Sequence, residues 1–336
     1  LVLNLQAVEG FFLITDDDHI FEVKGVVHPK NRVVAYLRYL PTQDGNRISS
    51  GGVRYRKITS LKEREDYLQR EHSEYLWFDE TRGRLLQGVP LNRIAFALDP
   101  VDCLRRFRDM GRHSSPLQQA SLNLVQALID RTGIEWGTIG LTGSQLVGLA
   151  SSESDIDLVI YGEKPARKVY SILKEQFRGI EDLGWYTGEL LDKHTTFRWG
   201  ETPRWRDVLR KVEAGKVLQG FFGGCEFFIR MVKSLDEIGY EYEDFRIHNE
   251  GTLTIKCHVI DDHESIFTPC AYEVQCDRFG NLRRLVSYRG RFTEQVSKGM
   301  NVEAKGRLES VTDTRSGEKL SQLVLGENWE DYLVPL

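Results

Sequence analysis

Residues 155–160, Asp-Ile-Asp-Leu-Val-Ile, set two acids one residue apart into an otherwise aliphatic run. Side chains alternate along a strand, so Asp155 and Asp157 share one face while Ile156 and Leu158 turn into the core. Charges placed in such a run are costly unless something binds them. Two same-face carboxylates stand roughly 6–7 Å apart along a strand, close enough to share hard divalent cations. Mg²⁺ or Mn²⁺ held there orients an attacking hydroxyl and stabilises a leaving pyrophosphate.

The residues upstream suit the same chemistry. A short strand over residues 138–141 leads into Gly143-Ser144, and ten residues separate Ser144 from Asp155. Glycine lets a phosphate approach the backbone, and a helix start offers free N–H groups. Ser144 adds a hydroxyl. A triphosphate gripped at Gly143 and Ser144 by its tail has its α-phosphorus near the two acids.

The stretch "GSQLVGLASSESDIDLVIYG" resembles the signature of the DNA polymerase β-like nucleotidyltransferase superfamily. That signature is a hydrophobic strand, Gly-Ser, about ten residues, then Asp-x-Asp between hydrophobics. The whole chain looks similar to archaeal predicted nucleotidyltransferases, in which a segment like "FEVKGVVHPKNRVVAYLRYLP" precedes the catalytic domain. The resemblance implies transfer of a nucleoside monophosphate from a nucleoside triphosphate to a hydroxyl acceptor. It implies Asp155 and Asp157 as metal ligands, and a third carboxylate from a later strand. The matching position is Glu226, opening Cys225-Glu226-Phe227-Phe228-Ile229-Arg230, as metal ligand and base. Lys216, on the approach to that strand, is the expected cation for the triphosphate, beside Gly143 and Ser144.

The pattern predicts an α+β chain of three blocks. Residues 1–112 show strands over 10–14, 21–27 and 32–40, a helix capped at Ser60, and another begun by Asp99-Pro100. This block carries no recognisable catalytic motif, and His19, His28 and His248 read as structural. Residues 113–245 form the nucleotidyltransferase domain, with a capping box at Ser115 and a two-glycine hairpin at Gly223-Gly224. Residues 246–336 read as all-β, with five short strands that suggest a small OB-like barrel.

Composition narrows the partners. The chain has 336 residues and a net charge of -5, which excludes a globally basic, histone-like binder. A local excess of Arg and Lys over residues 277–305, interleaved with Tyr288 and Phe292, makes RNA the expected acceptor through the C-terminal block. Five scattered cysteines without a CxxC pair, no long apolar run and the early acids Asp16, Asp17 and Asp18 point to a cytoplasmic protein that does not enter a membrane. The competing expectation is a catalytically degenerate nucleotidyltransferase fold that binds nucleic acid or regulates. A third, a small module paired with a toxin protein, fits poorly with the long flanking blocks.

Overall fold

The computed structural model describes residues 6–111, 115–175, 180–200, 203–277 and 279–336. They fall into two compact units. The first spans Leu1–Asp79, Leu85–Asp182 and Phe222–Tyr242; the second spans Glu80–Arg84, Leu183–Phe221 and Glu243–Leu336. The unit boundaries therefore run differently from the three sequence blocks. The N-terminal strands and the Asp-x-Asp strand belong to one unit.

The N-terminal part is an eight-stranded sheet. Its strands are β1 (Phe12–Thr15), β2 (Ile20–Val23), β3 (Arg32–Pro41), β4 (Arg47–Ile48), β5 (Arg54–Lys57), β6 (Leu76–Asp79), β7 (Arg84–Pro90) and β8 (Ile94–Leu98). The order is β4-β5-β3-β2-β1-β8, with β7 pairing both β3 and β6. Strand β3 alternates: Val33, Ala35, Leu37 and Tyr39 are buried and the residues between them are partly exposed. Those inward residues join Leu13, Phe21 and Val23, and helix α1 (Leu61–Glu71) adds Leu68. Ser60 caps α1 by accepting from the Glu63 N–H at 3.3 Å, and His72 ends it.

Two helices follow. In α2 (Pro100–Met110) the Asp99 carboxylate accepts from the Val101 N–H at 2.8 Å, with Pro100 in the first turn. In α3 (Pro116–Thr132) Ser115 and Gln118 form a reciprocal capping box, and Gly133 closes the helix in the left-handed conformation. Then come β9 (Ile139–Leu141), the single turn α4 (Gly143–Leu146), β10 (Ile156–Tyr161) and α5 (Glu163–Glu175).

The chain continues with β11 (Leu183–Gly184), α6 (Gly188–Trp199), α7 (Arg206–Ala214) and β12 (Gln219–Phe222). Gly223 and Gly224, both at positive φ, turn the chain into β13 (Cys225–Val232). In the first unit β10 is the middle strand. It runs parallel to β13, with Ile156 opposite Phe227, and antiparallel to β9, with Leu158 opposite Leu141.

The last strands are β14 (Phe245–Asp261), β15 (Cys270–Gln275), β16 (Leu282–Ser287), β17 (Asn301–Asp313), β18 (Lys319–Leu325) and β19 (Tyr332–Pro335). Their order is β14-β15-β16-β18-β17-β19, and β14 also pairs β17, so the strands make a partly closed ring. Val259, Tyr272, Leu285, Ala304 and Leu323 fill it, together with Trp199 of α6 and Leu209 of α7. No helix among the described residues is long and apolar enough to cross a membrane.

Candidate active site

Strand β10 carries Asp155 and Asp157 to the end of a buried sheet. Ile156, Leu158 and Ile160 are fully buried on one face, as alternation requires. The loop between β9 and α4 folds back on this strand: the Thr142 N–H donates to the Asp157 carbonyl at 2.9 Å. Gly143 follows at φ +65°. A Cβ at this position would overlap the Asp157 carboxylate, so only glycine fits. Ser144 is buried, and its Oγ has no hydrogen-bond partner. A buried unpaired hydroxyl beside a glycine cradle is the donor that a bound anion would satisfy.

The charges around the acids come from parts of the chain far away in sequence. The Asp157 carboxyl is pushed up to about 7, first by burial and then by the like charge of Asp155; Arg230 and Arg38 pull it down. Lys57, at the end of β5, interacts with both Asp155 and Asp157. Burial and the neighbouring Arg38 hold its ammonium below the usual lysine range. Arg47 of β4 donates to the Leu149 carbonyl, in the segment between α4 and β10. Arg38, Arg47 and Lys57 thus bring three cations of the N-terminal sheet to the Asp-x-Asp strand.

A second layer sits behind Asp157. Arg230 of β13 donates to Glu9 at 2.5 Å and to Glu22 at 3.1 Å. Burial opposes its charge, but Glu9, Glu22 and Asp157 more than compensate and hold it protonated. Glu22 also pairs with Lys24 at 2.6 Å and lies 3.8 Å from Arg38. Its burial is outweighed by these cations, and its carboxyl lies well below the ordinary glutamate value.

Residues 125–210 match the family model described as nucleotidyltransferase domain. The chain contains a nucleotidyltransferase domain. It is also 28% identical to an uncharacterized protein of Methanocaldococcus jannaschii, over 96% of both chains. No solved structure matches it.

Within the nucleotidyltransferase domain, Asp155 and Asp157 fit a hard divalent cation. They are same-face carboxylates, and their mutual repulsion and the burial of Asp157 are penalties that a bound cation removes. Glu226 lies on β13 one residue before Phe227, the partner of Ile156, which makes it the neighbour of Asp155 on the same sheet face. The ligand oxygens of Asp155, Asp157 and Glu226 do not all lie within 4.8 Å of one another, so the three acids do not form a closed cage.

Lys216 is elsewhere. It belongs to the second unit and is only 4% exposed. Its ammonium donates to Glu213 at 2.8 Å and to the Arg291 carbonyl at 2.6 Å. Glu213 also accepts from Trp199 Nε1 at 2.8 Å and from Gln219 Nε2 at 2.6 Å. Lys216, expected to meet the phosphates, has its ammonium held inside a buried polar network.

Proposed function

We propose that the protein is a Mg²⁺- or Mn²⁺-dependent nucleotidyltransferase that moves a nucleoside monophosphate from a nucleoside triphosphate to a hydroxyl acceptor, releasing pyrophosphate. The observation that carries this reading is the apposition of Gly143 to the Asp157 carboxylate beside the orphaned Ser144 hydroxyl. The Gly143 backbone, the Ser144 hydroxyl and the Asp157 carboxylate are thereby gathered where a phosphate chain and its cation are proposed to bind. A divalent cation bound by the acids supplies charge neutralisation at the α-phosphate.

The chain's own residues do the rest. Asp155 and Asp157 hold the cation. Gly143 and Ser144 receive the β- and γ-phosphates. Arg38, Arg47 and Lys57 take the neutralising role first expected of Lys216. The acceptor oxygen attacks the α-phosphorus as the bond to the bridging oxygen breaks, and pyrophosphate carries off the displaced electron pair. Glu226, next to Asp155 on the sheet face, is the proposed third acid and receives the acceptor's proton.

RNA is the proposed acceptor. Arg283, Tyr288 and Arg289 are exposed at and just beyond β16, and basic and aromatic groups on a β-surface suit a nucleic-acid strand. The ring closed by β14 and β17 supports the reading of this region as an OB-like barrel. Two of the basic residues there have internal duties: Lys305 pairs with Glu330 at 2.5 Å, and Arg291 donates to the Arg198 carbonyl at 3.1 Å. Five free cysteines, four of them buried, suit the cytoplasm.

One observation favours a second reading. The three acids do not close on a common point, as a degenerate, nucleic-acid-binding or regulatory member would allow. Pyrophosphate release separates the two. The enzyme releases it from a nucleoside triphosphate in the presence of Mg²⁺ and total RNA, and Asp157→Ala does not. Absence of release with every nucleotide, while RNA still binds, supports the degenerate reading.

A further inference from the structure

A group of residues apart from the Asp-x-Asp pair has metal-ligand chemistry. Asp17 and His19 lie in the turn between β1 and β2, which Asp18 makes by adopting φ +64°. His72 ends α1. One ligand atom from each of Asp17, His19 and His72 lies within 4.8 Å of the other two. His19 Nδ1 is 3.1 Å from Asp17 Oδ1, and His72 Nδ1 is 3.3 Å from Asp17 Oδ2. We infer that these three residues form a second metal centre, for a divalent transition cation of borderline softness such as Zn²⁺.

The distances suit a cation between the ligands. Metal–nitrogen and metal–oxygen bonds of about 2.0–2.2 Å place neighbouring ligand atoms about 2.9 Å apart at right angles and about 3.4 Å apart at the tetrahedral angle. The observed separations of 3.1 and 3.3 Å lie between those limits.

Independent support comes from His19 itself. The residue is 2% exposed, and its Nδ1 is buried without a hydrogen-bond partner although a carboxylate oxygen stands beside it. Its Nε2 is 2.8 Å from the Tyr67 hydroxyl. With the proton on Nε2, that contact fixes the ring and aims the Nδ1 lone pair at Asp17. A cation at Nδ1 requires this tautomer, in which Nε2–H donates to the Tyr67 hydroxyl and the Nδ1 lone pair faces the site. An outer partner on the other ring nitrogen is the usual support of a ligating histidine.

The surroundings tolerate the added charge. Arg93 donates to Asp17 Oδ2 at 3.0 Å, but it also faces Asp16 at 3.1 Å and Glu74 at 3.6 Å. Three carboxylates therefore face one guanidinium around the cluster. Tyr75 donates to Asp17 Oδ1 at 2.9 Å and helps orient the carboxylate. Two imidazoles and one carboxylate suit Zn²⁺ or Co²⁺ and disfavour Mg²⁺ and Ca²⁺, which prefer all-oxygen shells. Three protein ligands leave a fourth position for water. The bound ion pins the β1–β2 turn to the end of α1.

The test uses full-length protein carrying Asp155→Ala and Asp157→Ala, so that the other carboxylate pair contributes nothing. Co²⁺ is titrated into the chelator-treated protein and followed by visible absorption and calorimetry. One equivalent per chain is expected, displaced by Zn²⁺ and not by excess Mg²⁺, with a rise in Tm. Adding His72→Ala, at a partly exposed helix end, lowers Co²⁺ affinity by more than about 100-fold, beyond the loss of an outer-shell partner. It also removes the Zn²⁺-dependent rise in Tm. His248→Ala, at an exposed histidine outside the cluster, leaves both unchanged. No stoichiometric Co²⁺ binding, or binding unaltered by His72→Ala in a protein that still melts cooperatively, overturns the proposal.

Discussion

Gly143 lies against the carboxylate of Asp157, closely enough that a single added carbon at Gly143 would occupy the space of that carboxylate. The relationship ties the loop after β9 to the acids of β10, so phosphate-binding backbone and metal-binding side chain are set by one contact. Gly143→Ala must push Asp157 aside and also place a Cβ at φ +65°. The expected result is a loss of nucleotidyl transfer of about 100-fold or more, since a displacement of about 1 Å at reacting groups costs that much. Stability falls by about 1–3 kcal/mol. Kinetics together with a thermal melt check both, and an active Gly143→Ala protein contradicts the role given to this contact.

Asp157 gives the site a pH signature. Its carboxyl is raised from the ordinary 3.8 to about 7 by burial and by Asp155. In the folded chain it therefore holds a proton that the unfolded chain has lost between about pH 4 and pH 7. The stabilising contribution is complete below the unfolded pKa and disappears as pH rises through the folded one. In chelator, Asp157→Asn should raise Tm at pH 8 and have little effect near pH 4. Millimolar Mg²⁺ should erase the gain, because the cation offsets the same charge in the native protein. Equal melting of the two proteins at pH 8 without metal would contradict this account.

Arg47 and Lys57 are expected to act on the triphosphate. A lost hydrogen bond to a charged group is worth about 1.5–3 kcal/mol, or roughly 10–100-fold in affinity. Arg47→Ala and Lys57→Met should raise the KM for nucleotide by that factor with a smaller change in kcat. Circular dichroism and Tm should show an intact fold. An unchanged KM in both variants removes the N-terminal sheet from nucleotide binding.

Lys216 is expected to matter for stability. It shares a buried network with Glu213, whose side chain is fully inaccessible. Removing one member of such a pair costs about 3–5 kcal/mol because the other charge is left buried. Lys216→Met should lower the denaturation midpoint accordingly, and the folded fraction should keep its KM for nucleotide. A stable variant with a raised KM would restore the phosphate role.

Much of the local structure was legible because its causes are local. Ser60, Asp99 and Ser115 mark helix starts by hydrogen bonds to residues two or three positions on. The alternation at 155–160 gives both the strand and the shared face of the two acids. The cations Arg38, Arg47 and Lys57 were not legible, since charges on N-terminal strands read as a solvated face. Only the tertiary fold brings Arg38 and Lys57 to Asp157 and Arg47 to the Leu149 carbonyl. Lys216 carries a local signal: Glu213 stands three residues earlier at the end of α7, a spacing that pairs side chains. His19 has a local partner in Asp17, but its relation to His72 depends on where α1 ends.

Transfer of label from α-labelled nucleoside triphosphate tests the central claim most directly. Each nucleotide is incubated with the protein, Mg²⁺ or Mn²⁺, and total RNA and protein from a related cell, alongside Asp155→Ala/Asp157→Ala. The account predicts label in RNA with the intact aspartates alone, and none from γ-labelled nucleotide. Label in neither RNA nor protein with any nucleotide, or equal labelling by the aspartate variant, contradicts it.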